Sequence, residues 1–360
     1  MAPVLADDDI VETPEQGARN AREPLLVIEP LRRFLRSAGL EATEALSAHP
    51  IGDGHSNVTF LLSTGVVLRR PPRGPLPPSA HDVLREARVL RALAQTPVPV
   101  PRVLAVCDDP SVIGAPFYIM QRVDGTVITD RLPAALDTPA QRERIAQELI
   151  DALVTIHAAD WSALGLGAIG RPEGYLQRQL RRFEGLWQHN RTRQLPEVEI
   201  VGRWLAEHLP RSPAPAIVHG DYRLGNTIFD ASAPARLLAV LDWEMATIGD
   251  PLADVGYLVA QWVQAGDEPS RFRLSPVTAL AGFPTRTELV ELYERRSGRT
   301  VAHLDWYAAL ALWKAVVFME GNYRRAISGA TDDPYLRAFG EGVVELARRA
   351  LKVTREGIRA

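Results

Sequence analysis

The chain has 360 residues, 46% of them hydrophobic and 24% charged, which is the length of one large or two ordinary domains and the composition of a folded water-soluble protein. A formal net charge of −3 gives no global attraction to nucleic acid or to anionic membrane, and no apolar run approaches the length of a membrane span, so neither is an expected partner. The single cysteine, Cys107, cannot close an internal disulfide, and the expected compartment is a reducing cytoplasm.

Residues 1–22 are acidic where a secretion signal would be basic and apolar, and are expected to form a disordered tail. IEPLRRFLRSAG then has helical periodicity and stops near Gly39, and strand-like runs with glycine turns fill residues 46–70. SAHDVLREARVLRAL reads as an amphipathic helix with Ser79 as its N-cap, and PRVLAVC and APFYIMQRV read as two further strands. Residues 23–123 therefore predict a small lobe of five strands and one main helix. The periodicity breaks at VDGTVITDRLPAAL, which places the lobe boundary near Asp124. In residues 124–360 helices are predicted at about 139–158, 174–190, 197–208, 251–264, 284–297 and 303–328, with a last one from about 333.

The one strongly non-helical stretch of that second part carries the chemistry. HGDYRLGNTIFD, followed by an apolar run ending in LDWE, sets Asp221, Asn226 and Asp242 in the order that phosphoryl transfer needs. That reaction asks a protein mainly to position reactants and neutralise charge: Asp221 suits a carboxylate that orients the attacking hydroxyl, and Asn226 and Asp242 suit hard oxygen ligands for Mg2+. HGDYRLGN followed by LDWEMATIGDPLAD resembles the aminoglycoside phosphotransferase and choline kinase superfamily, relatives of the protein kinases. The resemblance implies an α+β, bilobal protein-kinase-like fold, with a small antiparallel-sheet lobe that binds ATP and a larger mainly helical catalytic lobe. His219 is expected to brace the loop. Arg223 is expected either to meet the γ-phosphate or to order the loop through an ion pair. Asp250 and Pro251 predict the start of a helix on which Asp254 supports the catalytic loop from behind.

In the small lobe, GDGHSNVTFLL reads as a turn in which Gly52 and Gly54 leave the backbone free to approach phosphates and Ser56 and Asn57 offer hydrogen bonds. Kinases pair a strand cation with the α and β phosphates and hold it with a helix glutamate. Lys314 and Lys352 are the chain's two lysines, so this lobe has none; Arg69 is the candidate, Glu86 its partner, and Arg70 the competing choice. Backbone groups from Gln121 to Val123 are expected to hydrogen-bond adenine, with Met120 filling space or serving as core.

The acceptor is expected to be a small molecule with a hydroxyl group. With no long segment between Asp242 and Gly249, a protein substrate is disfavoured. Arg171, Arg178, Arg181, Arg182, Arg191 and Arg193, with Arg324 and Arg325, favour an anionic acceptor, unless they form a solvated face. VLRRPP, TPVPVPRVLAVCDDPSVIGAPFYIM and EGNYRRAISG resemble phosphotransferases found fused or adjacent to acyl-CoA dehydrogenases. This implies a hydroxyacyl-CoA whose chain packs on Trp187, Tyr175 or Trp313, residues that equally suit a core. An antibiotic acceptor, and a nucleotide-binding pseudoenzyme with arginine where lysine is usual, stand as alternatives.

Overall fold

A computed structural model describes residues 8–20, 22–52, 57–74, 81–270, 273–329 and 334–358. The chain divides into two compact units, Met1–Asp124 and Gly125–Ala360. In the first unit β1 (Ile10–Val11) pairs in parallel with β2 (Leu26–Val27), and α1 (Pro14–Gly17) lies between them in sequence. The expected tail is corrected here for residues 8–20. Thr13, Pro14 and Gln16 build a capping box with proline in the first turn, and Leu25 and Leu26 donate to the Asp9 carbonyl.

After α2 (Ile28–Ser37) come β3 (Ala48–Ile51), β4 (Val58–Leu62), β5 (Val66–Arg70), α3 (Val83–Leu93), β6 (Val103–Cys107) and β7 (Phe117–Gln121). The five strands β3 to β7 form one antiparallel sheet in the order β3-β4-β5-β7-β6. Strand alternation turns Val58, Phe60 and Leu62 to one side, where Ile28, Leu31 and Leu35 of α2 cover them in a continuous apolar core. Ser79, expected to cap α3, lies outside the described residues. The cap is Asp82, whose side chain accepts from the Arg85 amide at 2.9 Å.

The second unit opens with β8 (Thr126–Val127), α4 (Pro139–Ala158), α5 (Tyr175–Asn190) and α6 (Pro196–Glu207). Four short strands follow, β9 (Ala216–Val218), β10 (Thr227–Phe229), β11 (Leu237–Val240) and β12 (Thr247–Gly249), and then the helices α7 (Leu252–Gln261), α8 (Arg286–Ser297), α9 (Leu304–Ile327) and α10 (Pro334–Glu356). Pairing of β10 with β11 sets Thr227 opposite Val240, and pairing of β9 with β12 sets Val218 opposite Thr247. β8 pairs with the other edge of β10, so one sheet has three strands in the order β11-β10-β8, and the short strands fix where the polar loops between them begin and end. No helix among the described residues is long and apolar enough to cross a membrane.

Helices α7 and α9 are in close contact at Gly256, where a β-carbon would stand 2.3 Å from the Tyr307 Cβ and 2.6 Å from its backbone carbon. Backbone cannot yield as a flexible side-chain tip can, so Gly256→Ala must push the two helices apart. The variant should lose about 3 kcal/mol of unfolding free energy in urea denaturation; an unchanged midpoint would mean that the crossing is looser than described.

Candidate active site

The loop between β9 and β10 carries Asp221, and its backbone is held from two sides. Asp254 of α7 is fully buried; one carboxylate oxygen accepts from the Gly220 amide at 2.8 Å and the other from the His219 amide at 2.7 Å. The His219 ring faces the other way, with Nε2 bonding the Leu241 carbonyl at 2.8 Å and Nδ1 accepting from the Asp221 amide at 3.2 Å. A carbonyl can only accept, so Nε2 carries the proton and Nδ1 is spent on the backbone. The imidazole therefore braces the loop, tying it to the residue just before Asp242.

Asn226 closes the loop onto Asp221, its Nδ2 donating to the Asp221 Oδ2 at 2.6 Å and to the Asp221 carbonyl at 2.9 Å. The Leu241 amide donates to the Asn226 carbonyl at 2.8 Å, which draws the end of β11 alongside. Asp242 then adopts a left-handed backbone, φ +65°, a conformation that costs a non-glycine residue energy and is retained where surrounding structure imposes it. Trp243 supplies part of that structure: it is fully buried, bonds the Val240 carbonyl at 3.0 Å and packs 4.7 Å from the His219 ring. Because the Asn226 amide nitrogen serves Asp221, its oxygen is the face left for a cation, and with the Asp242 carboxylate it makes a set of hard oxygen donors. Such a set fits Mg2+, which takes one or two carboxylates and completes its shell with substrate phosphates and water. No group of three or more His, Cys, Asp or Glu able to hold a metal occurs among the described residues.

Arg223 reaches back over the loop, its Nε 3.6 Å from the Asp221 Oδ1. A β-carbon at Gly225 would lie 2.2 Å from the Arg223 Nη1, so glycine makes room for the guanidinium. Two further groups were not singled out from the sequence. His157 of α4 bonds Asp254 at 3.3 Å and the Tyr293 hydroxyl at 2.8 Å. Tyr257, one helical turn beyond Asp254, directs its hydroxyl at Asp221; burial, with the Asp221 and Asp242 charges adding, holds that hydroxyl protonated far into the alkaline range. The spacing from Asp254 to Tyr257 on one predicted helix was the available signal for the second. Nothing local signals the first, which comes from 97 residues away.

Adjacent residues of β5 separate the two candidate cations of the first unit. Arg69 bonds Glu86 of α3 at 2.9 Å, and Glu86 is only 2% exposed. Arg70 points to the opposite face, as neighbours in a strand must, and donates to the carbonyls of Leu25, Pro71 and Ile113. Arg70 is thus consumed by the fold. Gly52 has φ +81°, which favours glycine, and Asn57 is buried just ahead of β4; Gly54 and Ser56 lie outside the described residues. The Gln121 amide already donates to the Arg102 carbonyl at 2.9 Å, which removes that N–H from the expected adenine contacts and leaves the Gln121 carbonyl and Val123.

A profile of the phosphotransferase enzyme family matches residues 47–309, more than half of the chain. The chain belongs to that family. It is 34% identical over 339 residues to acyl-CoA dehydrogenase family member 10 of Mus musculus, covering 92% of this chain and 31% of that protein, so it spans about a third of that relative's length. A crystal structure from Ralstonia eutropha JMP134, a candidate aminoglycoside phosphotransferase, superposes with TM-score 0.77 at 33% identity, covering 91% of this chain and 98% of the other. The GDP complex of aminoglycoside 2'-phosphotransferase-IIIa, at 14% identity and TM-score 0.61 over 90% of this chain and 98% of its own, shares the fold. The α+β kinase-like phosphotransferase fold is thereby established, with the smaller antiparallel-sheet unit preceding the larger helical one.

In this phosphotransferase the arginine-rich helix is less free than its composition suggests. Arg178 closes the start of α5 by bonding the Arg171 and Glu173 carbonyls, Arg324 bonds the His189 carbonyl, and Arg193 pairs with buried Glu320 at 3.2 Å and caps the Gly340 carbonyl at 2.7 Å. The aromatics named as possible acyl contacts are core: Tyr175, Trp187 and Trp313 are each at most 5% exposed, and the Trp313 indole donates to the Val198 carbonyl. Lys314 of α9 differs from these arginines. Its Nζ lies 4.9 Å from the Phe183 ring centre, and burial, reinforced by Arg182, pushes its ammonium down to about 8.

Burial opposes the charge on Asp254, but the bonds from His157 and the Gly220 amide outweigh it and hold the carboxyl below its ordinary range. A depressed carboxyl contributes stability above the unfolded value of about 4 and loses it as pH falls further. Asp254→Asn should therefore cost about 3 kcal/mol at neutral pH, with a shallower decline of stability below pH about 4 than the wild type. Parallel acid-unfolding curves for the two proteins would remove Asp254 from its proposed place as the loop's anchor.

Proposed function

We propose that this phosphotransferase moves the γ-phosphate of Mg·ATP to the hydroxyl of a small-molecule acceptor, with an anionic hydroxyacyl-CoA as the favoured class. The observation that carries the reading is the Asn226 amide nitrogen bonding Asp221 at 2.6 Å, which turns the amide oxygen to a cation that Asp242 would share. In the proposed reaction the acceptor oxygen attacks the γ-phosphorus and the bond to the β–γ bridging oxygen breaks, its electron pair leaving on ADP. Asp221 orients the hydroxyl and receives its proton, a role that depends on placement more than on basicity because the transition state is loose. When bound, Mg2+ held by Asn226 and Asp242 would neutralise phosphate charge. Arg223 adds positive charge beside the transferred group, and Tyr257 holds the Asp221 carboxylate in position.

Arg69, oriented by Glu86, is assigned to the α and β phosphates, and the Gly52 turn with Gly54, Ser56 and Asn57 to their backbone contacts; Gln121 and Val123 are assigned to the base. A structural neighbour solved with GDP supports nucleotide use by this fold. The acyl-CoA acceptor rests on the name of the long relative and on Arg181 and Arg182, the exposed arginines of α5. Aminoglycosides, named for several structural neighbours, remain the competing acceptor class, and a binding-only pseudoenzyme is favoured by one observation, arginine at position 69.

Release of ADP from Mg·ATP across hydroxyacyl-CoAs, aminoglycosides and amino alcohols tests the reading. Acceptor-dependent turnover should fall roughly a thousandfold or more in Asp221→Asn. ATP binding with no turnover on any acceptor would favour the pseudoenzyme, and absence of ATP binding would end the proposal.

The two neighbouring arginines offer a separate check. Arg69→Ala should raise the KM for ATP by about tenfold or more and also lower stability by removing the guanidinium from buried Glu86. Arg70→Ala should lower stability alone. Equal ATP effects from both variants would contradict the assignment of Arg69.

A further inference from the structure

Lys314 and Lys352 are the two lysines in a chain otherwise supplied with arginine and histidine as its basic residues. Lys352 is spent on a surface pair with Glu268. Lys314 is half-buried and, among the described residues, has no carboxylate within ion-pair distance. It sits instead over the face of Phe183, while the same ring takes Phe318 against its edge at 5.1 Å and 84°. Phe183 is fully buried; Phe318, one turn beyond Lys314 on α9, is 41% exposed and so offers apolar surface beside the ammonium. Arg182 of α5 adds a second positive charge near the ammonium, and Asp221 and Asp254 lie within electrostatic reach of it. A half-buried cation that makes no ion pair among the described residues, beside an exposed aromatic, is an arrangement for a ligand that brings its own negative charge and apolar surface.

We infer that Lys314 and Phe318 form the acceptor-docking patch, Lys314 taking an oxyanion of the acceptor and Phe318 its hydrocarbon, so that the same molecule's hydroxyl reaches Asp221. This rests on the phosphotransfer reading above and deepens it, because it assigns an amphipathic anion to a defined pair of side chains. Carboxylate and phosphate share this chemistry, and the ligands used below separate them. Lys314 is a specificity residue and takes no part in bond making.

The scarcity of lysine makes the test direct. Reductive 13C-methylation labels Lys314, Lys352 and the α-amine, and Lys314→Arg identifies the first signal by its loss. Titration with 3-hydroxyoctanoate, with CoA and with a straight-chain amino alcohol of equal length is followed by NMR. The Lys314 signal should move, and its pKa should rise by about one unit, with one of the two anions and not with the amino alcohol. Movement with 3-hydroxyoctanoate identifies a carboxylate, and movement with CoA a phosphate. A signal unmoved by either anion, or moved equally by the cation, overturns the inference whether or not the enzyme turns over. In steady-state assays Lys314→Met and Phe318→Ala should each raise the acceptor KM roughly tenfold or more with the KM for ATP unchanged, and Lys314→Arg should recover part of the loss. Equal changes in both KM values would also overturn it, and failure of phosphotransfer itself would leave the NMR result to decide the docking patch alone.

Discussion

The buried carboxylate of Asp254 is the constraint on which the rest of the catalytic unit depends. A charge at 0% exposure persists only if its lone pairs are filled, and here they are filled by two consecutive amides of the loop that carries Asp221 and by His157. The carboxylate thus converts the cost of its own burial into a fixed backbone path for His219 and Gly220. From that path the His219 ring reaches the Leu241 carbonyl, and the turn holding Asp242 is placed in relation to Asp221. One helix, α7, thereby sets the spacing between the acidic groups on both sides of the transferred phosphoryl group in the proposed reaction.

In the first unit the equivalent problem, how to present one cation and hide another, is solved by the two-residue period of a strand. Arg69 and Arg70 are chemically identical, yet one meets a helix glutamate and the other ends among carbonyl oxygens on the reverse face. Arginine suits both tasks, since its planar fork can satisfy several carbonyls in a core and can also meet a carboxylate through one edge.

Much of this was legible in the sequence because its determinants are local. Asp221 and Asn226 bond across five residues, the five-stranded sheet follows from alternating apolar runs, and α4 occupies the residues its periodicity predicts. The Thr13-Pro14-Glu15-Gln16 capping box was legible too, but acidic composition masked it. What escaped depends on contacts distant in sequence: the His157 bond to Asp254, the Tyr222 hydroxyl bonding the Leu149 carbonyl at 2.6 Å, and the fate of each arginine on and just beyond α5, where identical side chains become loop clasps, ion pairs or solvated charges according to what the fold places opposite. Burial of Trp187 and Trp313 is of the same kind, since an amphipathic pattern alone does not separate a core ring from one awaiting a ligand.

The first turn of α5 seats Tyr175 against Gly249, where a β-carbon would come within 2.6 Å of the ring, and Gly249 ends the strand that leads into α7. The helix bearing Arg182 and Phe183 is therefore keyed to the same strand that positions Asp254. A change at Tyr175 or Gly249 would therefore disturb α5 and the strand leading to Asp254 together, whereas the outer turns of α5 and α9 can vary without loading that junction.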